Sequence, residues 1–205
     1  MRPYLFFLLF NSVLFYPILA SGQKNDWGLN IGYGISNFSP GSKTVINPFL
    51  RNQPQHLSAG VSYDYSPWKA FISLRTGLWY ANRKQNDTAL NYFKIPIGFD
   101  LNFGKNHQFI FGGGLYGAVL FHYNGLPKTF EFKNQINRFV LGSYLNLGIS
   151  LRVSDHHYFS LRYQINYDSS PLLNPEKSVN QNNFTLSDGI FTLGLKYRVP
   201  QRRSK

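Results

Sequence analysis

The chain has 205 residues, enough for one domain with a sizeable core, and 18% of them are aromatic, with 19 Phe and 14 Tyr. It has no cysteine, which excludes a disulfide-stapled fold, thiolate metal sites, cysteine nucleophiles and a lipid anchor on a leader cysteine. The formal charge of +12 fits nucleic acid, anionic lipid or another polyanionic surface, and equally a solvated basic surface with no specific ligand. Lys and Arg are scattered without a basic helix, which favours anionic headgroups over nucleic acid.

The chain opens with Arg2, an apolar run from Tyr4 to Phe10, a break at Asn11 and Ser12, and a second apolar run from Val13 to Ala20. Small residues Ala20, Ser21 and Gly22 follow, so residues 1–22 read as a secretory signal peptide cleaved after Ala20 or Gly22. The run is too short and interrupted for a membrane anchor. A leader carrying only Arg2 leaves a mature chain at +11.

Eight stretches of two-residue period come next. The first, Trp27 to Ile35, sets Trp27, Leu29, Ile31, Tyr33 and Ile35 against Gly28, Asn30, Gly32 and Gly34. After a long loop to about Gln55, the second opposes Leu57, Ala59, Val61, Tyr63 and Tyr65 to Ser58, Gly60, Ser62 and Asp64. Ser66-Pro67-Trp68-Lys69 turns the chain into the third, where Ile72, Leu74, Thr76, Leu78 and Tyr80 oppose Ser73, Arg75 and Gly77. A polar loop is expected from Ala81 to about Asn91. The fourth stretch sets Phe93, Ile95, Ile97, Phe99, Leu101 and Phe103 against Lys94, Pro96, Gly98, Asp100 and Asn102.

Gly104-Lys105-Asn106-His107 is a second tight turn. The fifth stretch, about Phe109 to Phe121, is apolar on both faces and interrupted by Gly112-Gly113-Gly114. A third loop reaches about Asn137. The sixth stretch sets Phe139, Leu141, Leu145, Leu147, Ile149 and Leu151 against Gly142, Tyr144, Asn146, Gly148 and Arg152. Ser154-Asp155-His156 turns the chain, and the seventh opposes Phe159, Leu161, Tyr163, Ile165 and Tyr167 to Ser160, Arg162, Gln164 and Asn166. A fourth loop, Asp168 to about Asp188, precedes the last stretch, Ile190 to Val199.

Three short turns alternate with four long loops, which is the asymmetry of an outer-membrane barrel with turns in the periplasm and loops outside. The expected fold is therefore all-β, an eight-stranded antiparallel transmembrane up-and-down β-barrel over residues 23–199, with a short basic periplasmic tail over 200–205. In that orientation Trp27, Tyr65, Phe103, Phe109, Phe159 and Tyr197 form one aromatic belt. Tyr33, Tyr80, Phe93, Phe121, Phe139, Tyr167 and Phe191 form the other. A Lys or Arg facing lipid at mid-bilayer costs about 2–4 kcal/mol, and none of the outward positions is charged.

The segment Tyr92-Phe93-Lys94-Ile95-Pro96-Ile97 is similar to the aromatic-x-x-Ile-Pro-apolar strand of PorT-like (porin-family) small outer-membrane β-barrels. The closing Thr192-Leu193-Gly194-Leu195-Lys196-Tyr197-Arg198-Val199 resembles the signal read by the barrel-assembly machinery, carried here by Gly194, Tyr197 and Val199. Such signals usually end the chain on an aromatic, whereas here Val199 takes that place and a six-residue tail follows. The resemblance covers about Trp27 to Val199 and implies fold and location, with an accessory role in protein secretion as one concrete possibility.

Chemical motifs are sparse. Gly112, Gly114 and Gly117 satisfy G-x-G-x-x-G, but the helix that a dinucleotide site needs is replaced by the strand-like Ala118-Val119-Leu120-Phe121. Asn37-Phe38-Ser39, Asn86-Asp87-Thr88 and Asn183-Phe184-Thr185 are coincidental glycosylation triplets in this setting. Asp155, His156 and His157 lie in one turn, too few and too divergent in direction for a metal site. His56, His107 and His122 fall near strand ends without common spacing. A hydrolase needs nucleophile, base and orienting group at one rim, and no His lies on a strand face beside an evident Ser.

The inward charges are the best-defined constellation. Arg75, Lys94, Arg152, Arg162, Lys196 and Arg198 are expected to face Asp64 and Asp100, as an interior network that plugs the lumen. Eight strands leave a lumen that side chains can fill. The reading is a monomeric, non-enzymatic barrel without cofactor, structural or secretion-accessory, exported to the cell outer membrane. Its partners would be outer-membrane lipid and lipopolysaccharide, the assembly machinery, and an envelope or secretion protein. The alternatives are a narrow anion-selective pore and, after it, a lipid-modifying enzyme.

Overall fold

The computed structural model describes residues 24–40, 55–66, 71–85, 88–104, 107–124, 137–170 and 184–200. Eight strands follow in chain order: β1 Lys24–Pro40, β2 Gln55–Ser66, β3 Ile72–Gln85, β4 Thr88–Phe103, β5 His107–Asn124, β6 Phe139–Arg152, β7 His157–Asp168 and β8 Phe184–Arg198. Each pairs antiparallel with its chain neighbours, and β1 pairs with β8 from Asp26 opposite Arg198 to Pro40 opposite Phe184. The sheet thus closes into a barrel, which removes its edges and pairs the backbone where lipid offers no partner.

The alternation read from the sequence is the alternation of the barrel wall. Leu29, Ile31 and Tyr33 are 59–66% exposed on the outside, while Gly28, Asn30 and Gly32 between them are buried. The aromatic residues meet in bands: Trp27 and Tyr63 rings lie 4.9 Å apart near the turn end. Phe93 and Phe121 lie 4.5 Å apart, and Tyr163 and Phe191 4.8 Å apart, toward the loop end. The signal segment, the tips of the long loops, residues 67–70 of the first turn and the tail from 201 onward lie outside the described residues.

The strands reach further toward the loop end than their apolar alternation. Residues Ala81 to Asn91, expected as a polar loop, are mostly strand: β3 runs to Gln85 and β4 resumes at Thr88. Above the aromatic band the outward positions Asn82 and Lys84 are polar, yet Ala81, Arg83 and Leu90 are fully buried inside. Water replaces lipid on the outside at that height, so the apolar half of the pattern disappears while the strand continues. β1 and β8 likewise pair past Ile35 and before Ile190, as far as Pro40 opposite Phe184.

The fifth strand runs unbroken through its three glycines, contrary to the expected interruption: Gly112 pairs with Asp100 on one side and Asn146 on the other. Its irregularity lies further on, where the register with β4 shifts at Phe121, between the pairs of Leu120 with Tyr92 and of His122 with Asn91. Its inward face is apolar because that part of the lumen is. Tyr116, Ala118 and Leu120 pack inside with Ala81, Leu90, Tyr92, Val140, Tyr144 and Leu186. The β3–β4 ladder lacks the pairs of Gly77 with Pro96 and of Leu78 with Ile95, with the register unchanged on both sides. Pro96 has no N–H to give the ladder there. At the second turn Gly104 has a φ of 113°, and a Cβ there would lie 2.0 Å from the His107 carbonyl oxygen.

Candidate functional site

Inside the wall, charged side chains gather at two heights. The layer nearer the turns is built on Asp64 of β2 and Asp100 of β4. Arg162 Nη1 donates to Asp100 Oδ2 at 2.6 Å, and Asn146 Nδ2 to Asp100 Oδ1 at 3.1 Å. Lys196 Nζ donates to Asp64 Oδ2. Arg75 sits opposite Asp64 in the ladder and lies between the carboxylates, 3.9 Å from Asp64 and 3.7 Å from Asp100. All five side chains are at most 8% exposed. Gly112 makes the layer sterically possible, since a Cβ there would lie 2.1 Å from Asp100 Oδ1.

The second layer lies toward the loops and is centred on Arg83. Its Nη1 and Nη2 donate to Asp168 at 2.6 and 3.0 Å, and its Nη2 and Nε to Asp188 Oδ2 at 2.5 and 3.2 Å. Each carboxylate has further partners. Tyr116 donates its hydroxyl hydrogen to Asp168, and Ser36 donates to Asp188 Oδ1 at 2.6 Å. His56 Nδ1 lies 3.3 Å from the same oxygen. The guanidinium also faces the Tyr92 ring, 5.1 Å from its centroid. Gly142 leaves room for Tyr116, whose ring a Cβ there would meet at 2.3 Å.

Lys94 was expected to face Asp64 and Asp100, but it belongs with the loop-side layer. Its Nζ lies 3.8 Å from Asp188 Oδ2 and 4.2 Å from the centroid of the Tyr116 ring. Arg198 is also placed elsewhere. It grips Asp26 through Nε and Nη2 at 2.9 Å each and donates to the Tyr158 hydroxyl, forming a clasp at the turn-side rim where β1 closes on β8. Arg152 leaves the lumen altogether: it is partly exposed beside the third turn and pairs with Asp155. It is the last residue of β6, and its side chain reaches water and the turn rather than the interior.

The expected excess of six cations over two carboxylates therefore shrinks. Among the described residues the buried lumen holds five cations, Arg75, Arg83, Lys94, Arg162 and Lys196, against Asp64, Asp100, Asp168 and Asp188. Arg83, Asp168 and Asp188 are the residues that sequence reading missed, because it placed them in loops. Their inward parity, continuous with Ala81, Asn166 and Ile190, is the signal that could have found them.

The residues of the closing signal have distinct places. Gly194 sits between Asn30 and Ser160, where a Cβ would lie 2.4 and 2.6 Å from their side-chain oxygens. Tyr197 faces outward against the His156 and His157 rings at 6.2 and 5.4 Å. Val199 lies one residue past β8 and donates its backbone N–H to the Asn25 carbonyl at 2.9 Å. His156 and His157 themselves are exposed in the turn that Val153 N–H closes onto the His157 carbonyl.

Among solved structures the chain is similar to Neisserial surface protein A, with 15% identity and a TM-score of 0.55 over 85% of this chain and 97% of that one. It is also similar to Ail, the attachment invasion locus protein of Yersinia pestis, at 14% identity and a TM-score of 0.46, covering 85% and 99%. The outer membrane protein OprG from Pseudomonas aeruginosa matches at 11% identity and 0.46, covering 87% and 96%. At such identities the likeness is one of fold. No curated protein matches the sequence. Residues 6–198 match the outer membrane protein beta-barrel domain family, nearly the whole chain, strands and lumen residues included. The chain belongs to that family, an eight-stranded barrel of the Gram-negative outer membrane.

Proposed function

We propose that this chain is a non-enzymatic outer-membrane barrel of the PorT-like type. It acts as a structural or secretion-accessory component through its loop end and its contacts with envelope partners. The observation that carries this reading is the occupied lumen: Arg83 cross-links β3, β7 and β8 through two carboxylates at one height, and Arg162 ties β7 to β4 at another. Side chains that span the interior between distant strands favour a rigid scaffold over a conduit. A scaffold meets other molecules at its ends and on its lipid face. Lipid and lipopolysaccharide cover the apolar wall, and the closing strand with Gly194, Tyr197 and Val199 is what the assembly machinery would read.

The test is crosslinking in intact cells with an affinity tag in the fourth long loop, residues 171–183, followed by mass spectrometry. A discrete envelope protein recovered in comparable amount supports the accessory role, and recovery of the barrel alone overturns it. Purified barrel in planar bilayers should pass no discrete current, and an anion-selective conductance would establish a pore in its place. Lipid A from a deletion strain should keep its mass, and a changed mass would establish an enzyme.

A further inference from the structure

Between the two ionic layers the lumen holds a pocket of about 30 Å³, lined by Arg75, Trp79, Lys94 and Tyr144 with His56 and Thr192. A water needs about 10–15 Å³ of such space, so there is room for two waters or one ion of halide size. Four polar atoms on these side chains are buried without a hydrogen-bond partner among the described residues: Arg75 Nη1, Trp79 Nε1, Tyr144 Oη and His56 Nε2. Leaving such groups unmet inside a protein is costly. Guanidinium and indole N–H groups can only donate, so whatever meets them must accept.

Charge decides between water and an anion. Five buried cations face four buried carboxylates among the described residues, before His56 is counted. The cations are not equally engaged. Arg83 and Arg162 hold carboxylate oxygens at 2.5–2.6 Å, and Lys196 donates directly to Asp64. Arg75 and Lys94 come no closer than 3.7 and 3.8 Å to any of the four. These two loosely engaged cations are the ones that line the cavity, and no carboxylate among the described residues lines it. Water would meet the idle donors and leave one positive charge uncompensated in a low-dielectric interior, whereas a monovalent anion meets both needs.

We propose that the barrel holds one small monovalent anion of halide size in this lumen pocket, between the Arg75 and Lys94 cations and within reach of the Trp79 indole N–H and the Tyr144 hydroxyl. The ion is a structural element of the lumen and goes beyond the scaffold role, which stands or falls separately.

Crystals of the purified barrel soaked in sodium bromide test the site directly. An anomalous peak in the cavity between Arg75 and Lys94 is expected, and density showing water alone there overturns the proposal. In solution, thermal unfolding is followed in sodium bromide and in sodium gluconate, an anion too large for the cavity, at equal ionic strength. Above saturation, each tenfold rise in bromide should lower the unfolding equilibrium constant about tenfold. Lys94→Met removes the surplus charge and should abolish that dependence. An equal bromide dependence in the parent and in Lys94→Met overturns the assignment, and the bromide map decides the matter if that variant does not fold.

Discussion

The two ionic layers solve the same problem with different completeness. In the loop-side layer one guanidinium spends three nitrogens on two carboxylates, and those carboxylates also take Tyr116 and Ser36. In the turn-side layer three cations share Asp64 and Asp100, and Arg75 Nη1, Arg162 Nε and Nη2, and Asp64 Oδ1 have no hydrogen-bond partner among the described residues. The difference follows from position. Arg83, Asp168 and Asp188 sit at or beyond the aromatic band, where five neighbouring strands, β7, β8, β1, β2 and β3, each present a polar side chain at one height. The turn-side layer draws its charges from two groups of adjacent strands, β2 to β4 and β7 to β8, separated by the glycine, serine and asparagine positions of β1, β5 and β6. The saturated set around Arg83 fixes strand positions, whereas Lys94, His56 Nε2 and the unmet donors of the turn-side layer are left to meet something else.

That contrast can be broken most directly at Arg83. Arg83→Met leaves Asp168 and Asp188 buried without their shared cation, and a loss of about 3–5 kcal/mol is expected, read as the drop in unfolding midpoint of the barrel in micelles. A smaller loss than that of the turn-side variant would reverse the ranking of the layers. Asp100→Asn removes the partner of Arg162 but keeps an acceptor for it, so about 2–3 kcal/mol should be lost. An unchanged midpoint would remove the turn-side network from the account of stability.

Tyr116→Phe keeps the ring beside Lys94 and deletes only the hydroxyl that donates to Asp168, which should cost about 1.5–3 kcal/mol. Combining Arg83→Met with Asp100→Asn sharpens the comparison further. The two sites share no carboxylate, so their effects should add to within about 0.5 kcal/mol, and a larger coupling would make the lumen one network. Arg152→Ala, outside both layers in an exposed pair with Asp155, should move the midpoint by no more than about 0.5 kcal/mol.

Period two alone determined the number of strands, the lipid-facing and lumen-facing sets, and the fold that contains them. Each of these is a local property: successive side chains point to opposite faces, and only lipid outside makes one face uniformly apolar. Hence Asp64, Arg75, Asp100, Arg162 and Lys196 could be assigned to the interior from their neighbours in sequence, and they lie there. The apolar half of the alternation ends where lipid ends, so Arg83, Asp168, Asp188 and His56 read as loop or as scattered although their inward parity continues. Tertiary structure alone decided which charges meet. The height of a residue depends on strand stagger, which accumulates around the closed sheet and is fixed only when β1 joins β8. It is this stagger that brings Lys94 to Asp188 rather than to Asp100, seats Arg198 on Asp26 at the rim, and leaves Arg75 and Lys94 facing a cavity between the layers.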